Sequence, residues 1–361
     1  MTAPVPVLVT AVGGGGVGEQ ILKALRLAET AYSIVATDVR AASSGLVGAD
    51  AAYVVPPAAD DGYVGSLLAV CRRHDVRMVF PGSEAELRVL AAHAEEFAAA
   101  GAPVACCPPD VLDVCLDKTA TMRRLEELGF GVPRWLRFTT VEEALAFDEL
   151  PAVVKPATGG GGSAGLHLCQ DRDELAAAAL ATVRQRGGGI VQAYVGTPEH
   201  EYTVGVLADL DGELLGSIGL RRDLGSALSV RIKAANRTTR AELGPALVVS
   251  SGISQGWIAP YPDLTRRCEE AATALGARGA INIQCRLVDG EPEVFEINPR
   301  FSGTTSIRAL VGYNEPDALV RRHVLGETIE RPLPHRSAHV ARALAEVLVS
   351  DEGVARAEEL G

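Results

Sequence analysis

The chain has 361 residues, a formal net charge of −12 at pH 7 and 47% hydrophobic residues. This composition excludes a mainly disordered protein, and the acidic charge argues against nonspecific nucleic-acid binding, because DNA and RNA phosphates would repel it. Apolar runs fall short of the ~20 residues of a membrane span, and the N-terminus lacks the basic stretch of a signal peptide, so no membrane partner is expected. Seven cysteines without a Cys-x-x-Cys pair favour reduced thiols and a cytoplasmic location.

Strands alternate with helices in the first part of the chain. The predicted elements are strand Val5–Val12, helix Val17–Ala28, strand Ile34–Thr37, helix Tyr63–Arg73, strand Val76–Phe80, helix Glu84–Ala100 and strand Val104–Cys106. This alternation predicts a doubly wound α/β domain with a parallel sheet over roughly the first 110 residues.

The pattern then changes to an α+β arrangement with antiparallel hairpins. Asp211-Gly212 and Asp289-Gly290 are typical hairpin turns between apolar strands. The other predicted elements are helix Asp117–Leu128, strand Ala152–Pro156, strand Leu166–Cys169, helix Arg172–Arg186, strand Ile190–Tyr194, strand Tyr202–Leu207 and strand Leu228–Ala235.

Lysine is rare in this chain. Of the 34 lysines and arginines, the lysines are Lys23, Lys118, Lys155 and Lys233. A chain that uses arginine almost everywhere keeps lysine where a compact ammonium is needed, so these residues are candidates for phosphate or carboxylate binding. A composition bias that leaves stray lysines is the alternative interpretation.

A glycine run follows Lys155. The segment Gly159–Gly165 lies between two predicted strands, and its backbone could approach phosphate oxygens and close over them as a lid. A plain flexible loop is the alternative. The stretch also matches the Gly-x-Ser-x-Gly pattern of a hydrolase nucleophile, but a strand rather than a helix follows it, which disfavours a serine hydrolase.

A second glycine run, Gly13–Gly18, contains Gly-x-Gly-x-x-Gly between a strand and a helix, and Asp38 follows 20 residues after Gly18. This context fits a dinucleotide-binding turn. A tight strand-to-helix turn without any ligand is the alternative.

The segment Phe295–Arg300 carries the sharpest chemical pattern. Strand alternation directs Glu296 and Asn298 to one face, and Gln284 lies on the preceding strand of the same hairpin. One acid and two amide oxygens suit a hard cation such as Mg²⁺, and Arg300 could hold a phosphoryl group. A solvated hairpin face is the alternative.

Taken in order, these segments resemble the ATP-grasp superfamily. The motifs that carry the resemblance are Asp117–Met122, Val153–Pro156, Gly159–Gly165, Ile190–Gly196, His200–Val204, Gln284 and Glu296–Arg300. The chain is most similar to the branch that contains the carbamoyl-phosphate synthetase large chain and stand-alone carboxylate–amine ligases.

The resemblance implies a doubly wound pre-ATP-grasp domain followed by a two-lobed ATP-grasp fold. The implied boundaries are a first domain over 1–113, a small lobe with the glycine-rich lid over 114–193, a large lobe with the metal site over 194–350, and a C-terminal tail over 351–361. We expect the tail to be a frayed end.

The resemblance also implies an ATP site, in which the lysines and the glycine loop hold phosphates, the hinge after Ile190-Val191 contacts adenine through Ala193 and Val195, and Glu201 holds the ribose. The implied ATP-binding residues are Lys118, Lys155, Gly161, Gly162, Ser163, Gln192, Ala193, Tyr194, Val195 and Glu201. Gln192 stands where an acid is common in that branch.

The implied metal ligands are Gln284, Glu296 and Asn298, which would bind Mg²⁺ with Mn²⁺ as a substitute, and Arg300 would bind the transferred phosphoryl group. The implied activity is ATP-dependent ligation of a small-molecule carboxylate to an amine, through an acyl phosphate, on an amino acid or a related acid. Lys155, Lys233 and Arg300 are the candidate catalytic residues. A homodimer formed through the first domain is an option that the sequence leaves open.

Several further side chains are candidates for the substrate site. Glu84 follows a strand of the first domain and would either contact an amine or cap the next helix. The cationic candidates are Arg221, Arg222, Arg231, Lys233 and Arg308.

Two other functions compete with the ligase. A nicotinamide-dependent oxidoreductase would use the Gly13–Gly18 turn and Asp38, and a non-catalytic ATP-binding protein would keep the nucleotide site without turnover.

Overall fold

The computed structural model describes residues 3–159, 165–349 and 353–360. Gly161, Gly162 and Ser163, the predicted contacts of the glycine loop, lie outside the described residues.

The first domain is a five-stranded parallel sheet with helices packed on it, as predicted. Its strand order is β17-β3-β2-β1-β4. The strands are β1 (Val5–Val9), β2 (Tyr32–Asp38), β3 (Ala51–Val54), β4 (Val79–Phe80) and β17 (Val354–Arg356). The helices are α1 (Val17–Arg26), α2 (Tyr63–His74), α3 (Glu84–Ala92) and α4 (Ala94–Ala99).

Two helices lead from this domain into the rest of the chain, α5 (Pro109–Cys115) and α6 (Lys118–Glu127). Asp117 begins α6 by accepting hydrogen bonds from the backbone N–H groups of Thr119 and Ala120. Met122 and Leu125 of α6 pack into the core of the large lobe. The small-lobe boundary expected at residue 114 stays a prediction, and α6, which lies beyond that boundary, packs with the large-lobe core.

The small lobe is a four-stranded sheet with the order β5-β8-β6-β7. Its elements are β5 (Trp135–Phe138), α7 (Val141–Leu145), β6 (Ala152–Lys155), β7 (His167–Cys169), α8 (Arg172–Arg186) and β8 (Gly189–Ala193). Phe138, Val154 and Leu175 belong to its own hydrophobic core.

The large lobe is built on a six-stranded sheet with the order β15-β14-β9-β10-β13-β16. Its elements are β9 (Glu201–Ala208), β10 (Leu214–Arg222), β13 (Gly256–Ile258), α9 (Pro262–Ala274), β14 (Ala280–Val288), β15 (Glu291–Asn298), α10 (Thr305–Leu310), α11 (Glu315–His323) and β16 (Ala338–Val340). A separate two-stranded hairpin consists of β11 (Val230–Ala235) and β12 (Ala246–Ser250).

Strand alternation gives the large sheet two different faces. Tyr202 and Val204 of β9 pack with α9 in the apolar core on one face. Glu201 and Thr203 point to the opposite face, where their side chains bond to other polar groups. This opposite face carries the polar site described below.

Two expectations about local structure were wrong. The Ala-rich helix over 84–100 is broken at His93, which ends α3 and precedes α4. The C-terminal residues are not wholly frayed, since β17 pairs in parallel with β3 and Ala357 is buried in the first domain's core.

Within the described residues, no helix combines the length and the apolar character that crossing a bilayer would require.

Candidate active site

A cleft lies between the small lobe and the polar face of the large sheet. Its walls include Lys155, the hinge 192–195, Glu201, the strand residues 248–250 and Arg286. A smaller polar cleft next to it is bordered by Glu84, Lys118, Met122, Glu296 and Asn298. Phe295 borders both, so the two clefts are neighbours along β15.

Lys155 ends β6 and is buried against β15. Its Nζ donates to the carbonyl oxygen of Phe295 at 2.9 Å and lies 5.9 Å from the centre of the Phe295 ring. Burial lowers the pKa of Lys155 to about 8, Glu296 opposes the change, and Lys118 adds to it. An anion bound beside Lys155 would favour the charged ammonium and raise this lowered pKa.

Lys118 is the first residue of α6, and its Nζ donates to the carbonyl oxygen of Gly159 at 3.0 Å. Its backbone N–H donates to Ala157 at 2.8 Å, which fixes the start of the helix beside the start of the glycine loop. Both rare lysines singled out for phosphates therefore lie around this loop and the two clefts.

The hinge presents a restricted set of backbone groups. The N–H of Ala193 donates to Arg134 at 2.8 Å, and the carbonyl oxygen of Val195 accepts from Arg286 at 3.2 Å. Neither the Ala193 carbonyl nor the Val195 N–H has a hydrogen-bond partner among the described residues, and they are the acceptor and the donor that the amino group and a ring nitrogen of adenine require. The Gln192 side chain points to Met122 Sδ, at 3.1 Å.

Tyr194 of the hinge holds the hairpin strand β12. Its hydroxyl donates to the carbonyl oxygen of Val248 at 3.1 Å and accepts from the Val248 N–H at 2.9 Å. The guanidinium of Arg286 lies 4.3 Å from the Tyr194 ring centre. The hairpin is thereby fixed over one side of the cleft.

Glu201 is buried between two arginines, a contact set that the sequence did not reveal. Arg286 donates to one carboxylate oxygen at 2.9 Å and 3.0 Å, and Arg222 lies 3.2 Å from the other. Burial alone would raise the pKa of Glu201, but Arg286 and Arg222 hold it below its usual value. A ribose hydroxyl would have to share this carboxylate with both guanidinium groups.

The predicted metal ligands are brought together. Gln284 and Glu296 face each other across the β14–β15 hairpin, and the Gln284 amide donates to Glu296 at 3.1 Å. Asn298 follows on the same face, and its side-chain oxygen accepts from Arg300 at 3.1 Å. One carboxylate and two amide oxygens on one face are a donor set that suits Mg²⁺.

Glu84 of the first domain borders the same polar cleft as Glu296 and Lys118. It does not cap α3, because Glu86 accepts the Ser83 N–H at 3.1 Å in the capping position. The structure therefore removes the capping explanation for Glu84 and leaves its carboxylate beside the predicted metal ligands.

Lys233, a candidate catalytic residue and a cationic candidate for a substrate carboxylate, does not lie among these groups. It is exposed on β11, lies opposite Val248 of the hairpin, and borders a separate cavity together with Arg221.

The other cationic candidates divide in the same way. Arg222 is buried and bonds to Ser250 and Gln284, whereas Arg308 is buried in an ion pair with Glu315 at 2.9 Å. Arg222 therefore belongs to the cleft and Arg308 to the structural core.

The Gly13–Gly18 turn is a packing turn whose acid is already engaged. Asp38 accepts hydrogen bonds from the N–H groups of Gly13, at 2.8 Å, and Arg40, at 3.2 Å. A Cβ at Gly18 would lie 2.4 Å from the carbonyl oxygen of Thr10, so glycine is needed there for close approach. These contacts favour the ligand-free interpretation over a dinucleotide site.

Profiles of known protein families match two separate parts of the chain. A profile described as "PylC-like, N-terminal domain" matches residues 7–105, and one described as "ATP-grasp in the biosynthetic pathway with Ter operon" matches residues 250–346. The carbamoyl phosphate synthase large chain of Thermomicrobium roseum is 31% identical over 217 residues, which are 58% of this chain and 18% of the relative. The chain thus spans under a fifth of the length of the curated relatives that it matches first.

Solved structures share the fold. Biotin carboxylase from Campylobacter jejuni has a TM-score of 0.63 at 16% identity, covering 91% of this chain and 72% of that one. The L-amino acid ligase from Bacillus licheniformis has a TM-score of 0.59 at 16% identity, covering 90% and 75%. The two profiles and the related large chains each match part of this chain, and together with the shared fold they support its similarity to the ATP-grasp superfamily.

Proposed function

We propose that this protein is an ATP-dependent carboxylate–amine ligase. The observation that carries the proposal is the meeting of Lys118 and Glu84 with Glu296 and Asn298 around one small polar cleft. Phosphate-binding, metal-binding and amine-binding groups are thereby supplied by three parts of the chain. The similarity to the L-amino acid ligase structure is consistent with this activity.

The nucleotide would lie along the larger cleft. Its adenine would contact the Ala193 carbonyl and the Val195 N–H, beneath the β12 residues 248–250. Its phosphates would extend toward Lys155, which lies next to Phe295 at the boundary of the two clefts. The glycine loop between 159 and 165 would then cover the β- and γ-phosphates.

Mg²⁺ fits the donor chemistry of Glu296, Gln284 and Asn298. The Gln284 amide now donates to Glu296, and turning that amide would place its oxygen beside the carboxylate. The bound ion would neutralise charge on the phosphate oxygens. Lys155 and Arg300 would add fixed positive charge on either side, so the chain's own role is positioning and electrostatic stabilisation.

The reaction balances in two steps. A carboxylate oxygen of the acid substrate attacks the γ-phosphorus, the bond to ADP breaks, and an acyl phosphate forms. The ammonium first releases one proton to water, the amine nitrogen then attacks the acyl carbon, phosphate leaves with the bonding electrons, and the nitrogen loses a second proton to water. The product is an amide lighter than its two precursors together by one water.

Glu84 is the group that we assign to the amine substrate. Its carboxylate borders the small polar cleft together with Lys118, and it would pair with an ammonium before reaction. An α-amino acid or a related small amine fits that contact.

ADP release from ATP and Mg²⁺ tests the proposal, using pooled carboxylates and amines with mass spectrometry of the products. We expect ADP only when both an acid and an amine are present, together with the dehydrated product. Glu296→Gln should be inactive and Glu291→Gln, at the exposed start of β15, should be active. ATP binding without turnover in any pool would favour the non-catalytic ATP-binding protein instead.

NADH should leave the tryptophan fluorescence unchanged, because Asp38 is engaged by backbone N–H groups. Quenching by NADH but not by ATP would favour the oxidoreductase. Association into a homodimer stays a prediction, which light scattering of the purified chain would check.

A further inference from the structure

A second cavity lies outside the cleft assigned to nucleotide. It has a volume of about 500 Å³ and is bordered by the end of β10, the β11–β12 hairpin and β13. Arg221 and Arg222 are consecutive on β10, so their side chains leave opposite faces of the strand. Arg222 reaches Glu201 and Gln284, whereas Arg221 lies against Trp257 on the other side. Arg222 and Val248 border the cavity as well, so it adjoins the cleft at the end of β10, and Arg221 marks its far side.

Two cations face this cavity without an acidic partner. Within the part of the chain that the structure describes, neither Arg221 nor Lys233 makes a hydrogen bond or an ion pair. The other lysines differ: Lys23 pairs with Glu19, and Lys118 and Lys155 donate to backbone carbonyls. Lys233, one of the few lysines of this chain, thus lies at the cavity wall and can bind an anion there.

The acids of the same cavity do not neutralise the pair. Asp223 accepts from the Gly225 N–H at 2.9 Å and from Gln255 at 3.3 Å. Glu199 is exposed at the rim. Neither lies within ion-pair distance of Arg221 or Lys233 among the described residues, so positive charge remains at the wall.

The rest of the wall is flat and apolar. The Arg221 guanidinium lies 4.7 Å from the Trp257 ring centre, and Trp257 stacks on His339 at 4.5 Å with 5° between the planes. Leu224, Val248 and Pro198 complete the apolar surface. Arg221 and His339 cover the two faces of the indole, and the part of Trp257 that stays exposed, 37%, offers an edge contact to a planar ring that ends in an anion.

We infer that this cavity binds a small organic carboxylate that carries a flat ring. The carboxylate pairs with Arg221 and Lys233, and the ring lies against Trp257. Carboxylate matches the forked donors of Arg221, and the ammonium of Lys233 supplies a second, adaptable donor. This site goes beyond the proposed ligase activity, because Arg221, Lys233 and Trp257 are not among the residues assigned to the nucleotide, the metal or the amine.

Fluorescence of Trp257 measures binding directly. Trp135→Phe leaves Trp257 as the sole tryptophan, since the chain has two. Benzoate is the probe, benzamide is its neutral counterpart and acetate lacks the ring. We expect a saturable change with benzoate and binding weaker by about tenfold or more for benzamide and acetate.

Matched variants locate the probe. Lys233→Gln and Arg221→Gln should each weaken benzoate binding by about tenfold or more, since each removes a charged donor. Arg231→Gln, two residues before Lys233 and outside the cavity wall, should leave binding unchanged. Arg300→Gln should also leave it unchanged, because Arg300 belongs to the proposed active site.

Three results would overturn the inference. These are the absence of a saturable signal, equal binding of benzamide and benzoate, and loss of binding in Arg300→Gln with retention in Lys233→Gln. The last result would place benzoate in the proposed ligase cleft. Binding of phenyl phosphate without binding of benzoate would replace the carboxylate by a phosphate as the recognised group.

Discussion

Arg286 donates two hydrogen bonds to a single oxygen of Glu201, at 2.9 Å and 3.0 Å, on neighbouring strands of the large sheet. The same guanidinium donates to the carbonyl oxygens of Val195 and Val248. One side chain thus joins the hinge, the hairpin and the sheet, which are three walls of the nucleotide cleft.

Glu201→Gln should unfold more easily than the parent protein. The change leaves Arg222 and Arg286 buried without their countercharge, and loss of one partner from a buried ion pair costs about 3–5 kcal/mol. The midpoint of urea unfolding measures this loss. Glu199→Gln, at an exposed position nearby, is the control and should shift stability by less than about 0.5 kcal/mol.

The contribution of Glu201 should also depend on pH. Its pKa is held below the usual value, so its stabilising effect is present above the ordinary pKa of a glutamate and is lost as the pH falls through the lowered value. The parent protein should therefore lose more stability than Glu201→Gln on acidification. An equal loss of stability on acidification in the parent protein and in Glu201→Gln would contradict the stabilising role of the Glu201 carboxylate.

Binding of ADP should take up protons near pH 8. The pKa of Lys155 is lowered to about 8 in the free protein, and nearby phosphates would favour the charged ammonium and raise that pKa. Calorimetry in two buffers of different ionisation enthalpy measures the uptake. Lys155→Arg should remove it, because arginine stays charged, and an equal uptake in that variant would refute the role of Lys155.

Lys155 should also make stability depend on pH, in the same direction as Glu201 but in the alkaline range, because its pKa too is lowered in the folded protein. Between pH 8 and 10.5 the unfolded chain holds the Lys155 proton and the folded protein does not. The free energy of unfolding should therefore rise across this window through the Lys155 contribution. Lys155→Met should remove that part of the slope.

Glu296→Gln should lower ADP formation by about 100-fold or more, the scale seen when one electrostatic group is removed from an active site. The side chains keep the same shape, and the hairpin pairing with Gln284 does not need the charge. Circular dichroism should confirm an unchanged fold. Parent-level turnover in a folded Glu296→Gln would remove the metal assignment.

Tyr194→Phe should raise the KM for ATP and leave kcat nearly unchanged. The hydroxyl makes two hydrogen bonds to the backbone of Val248, so its loss weakens the attachment of β12 to the hinge at a cost of about 1–3 kcal/mol, while Arg286 still joins the two. Tyr53→Phe, whose hydroxyl bonds to His74 in the first domain, is the control. An equal rise of the KM for ATP in both variants would argue against this role of the Tyr194 hydroxyl.

Substitutions at Glu84 and Glu86 should have different effects, the first on amine binding and the second on folding stability. Glu84→Gln should raise the KM for the amine without changing that for ATP, since Glu84 borders the polar cleft. Glu86→Gln should instead lower stability, because its carboxylate accepts from Thr10, Tyr63 and the Ser83 N–H. An unchanged amine KM in Glu84→Gln would leave the amine without its proposed partner.

The common face of Glu296 and Asn298 was predictable because strand alternation is a local rule. Their position opposite Gln284 was not predictable from the Asp289-Gly290 turn alone, because a β-bulge shifts the β14–β15 register between Gln284 and Cys285. The lysines were predictable for a different reason, since their rarity marked Lys118 and Lys155 as exceptions.

The partners of Glu201 were not predictable in this way. Arg286 lies 85 residues further along the chain and reaches Glu201 because β9 and β14 pair. The position of Lys233 was not predictable because the β11–β12 hairpin forms a separate sheet, and no pattern within the hairpin shows which side faces the cleft. The pairing of β17 with β3 was missed because it joins residues about 300 positions apart, which local propensity cannot reveal.

The distribution of apolar cores has a mechanical consequence. One core runs without interruption from Ile21 and Phe80 of the first domain to Phe301 and Leu319 of the large lobe, whereas the small lobe keeps its own. The C-terminal segment also connects these two parts, because β16 belongs to the large-lobe sheet and β17 belongs to the first-domain sheet. The first domain and the large lobe should therefore move as one rigid body. The cleft would open for substrates and products by rotation of the small lobe about its two connections to the rest of the chain.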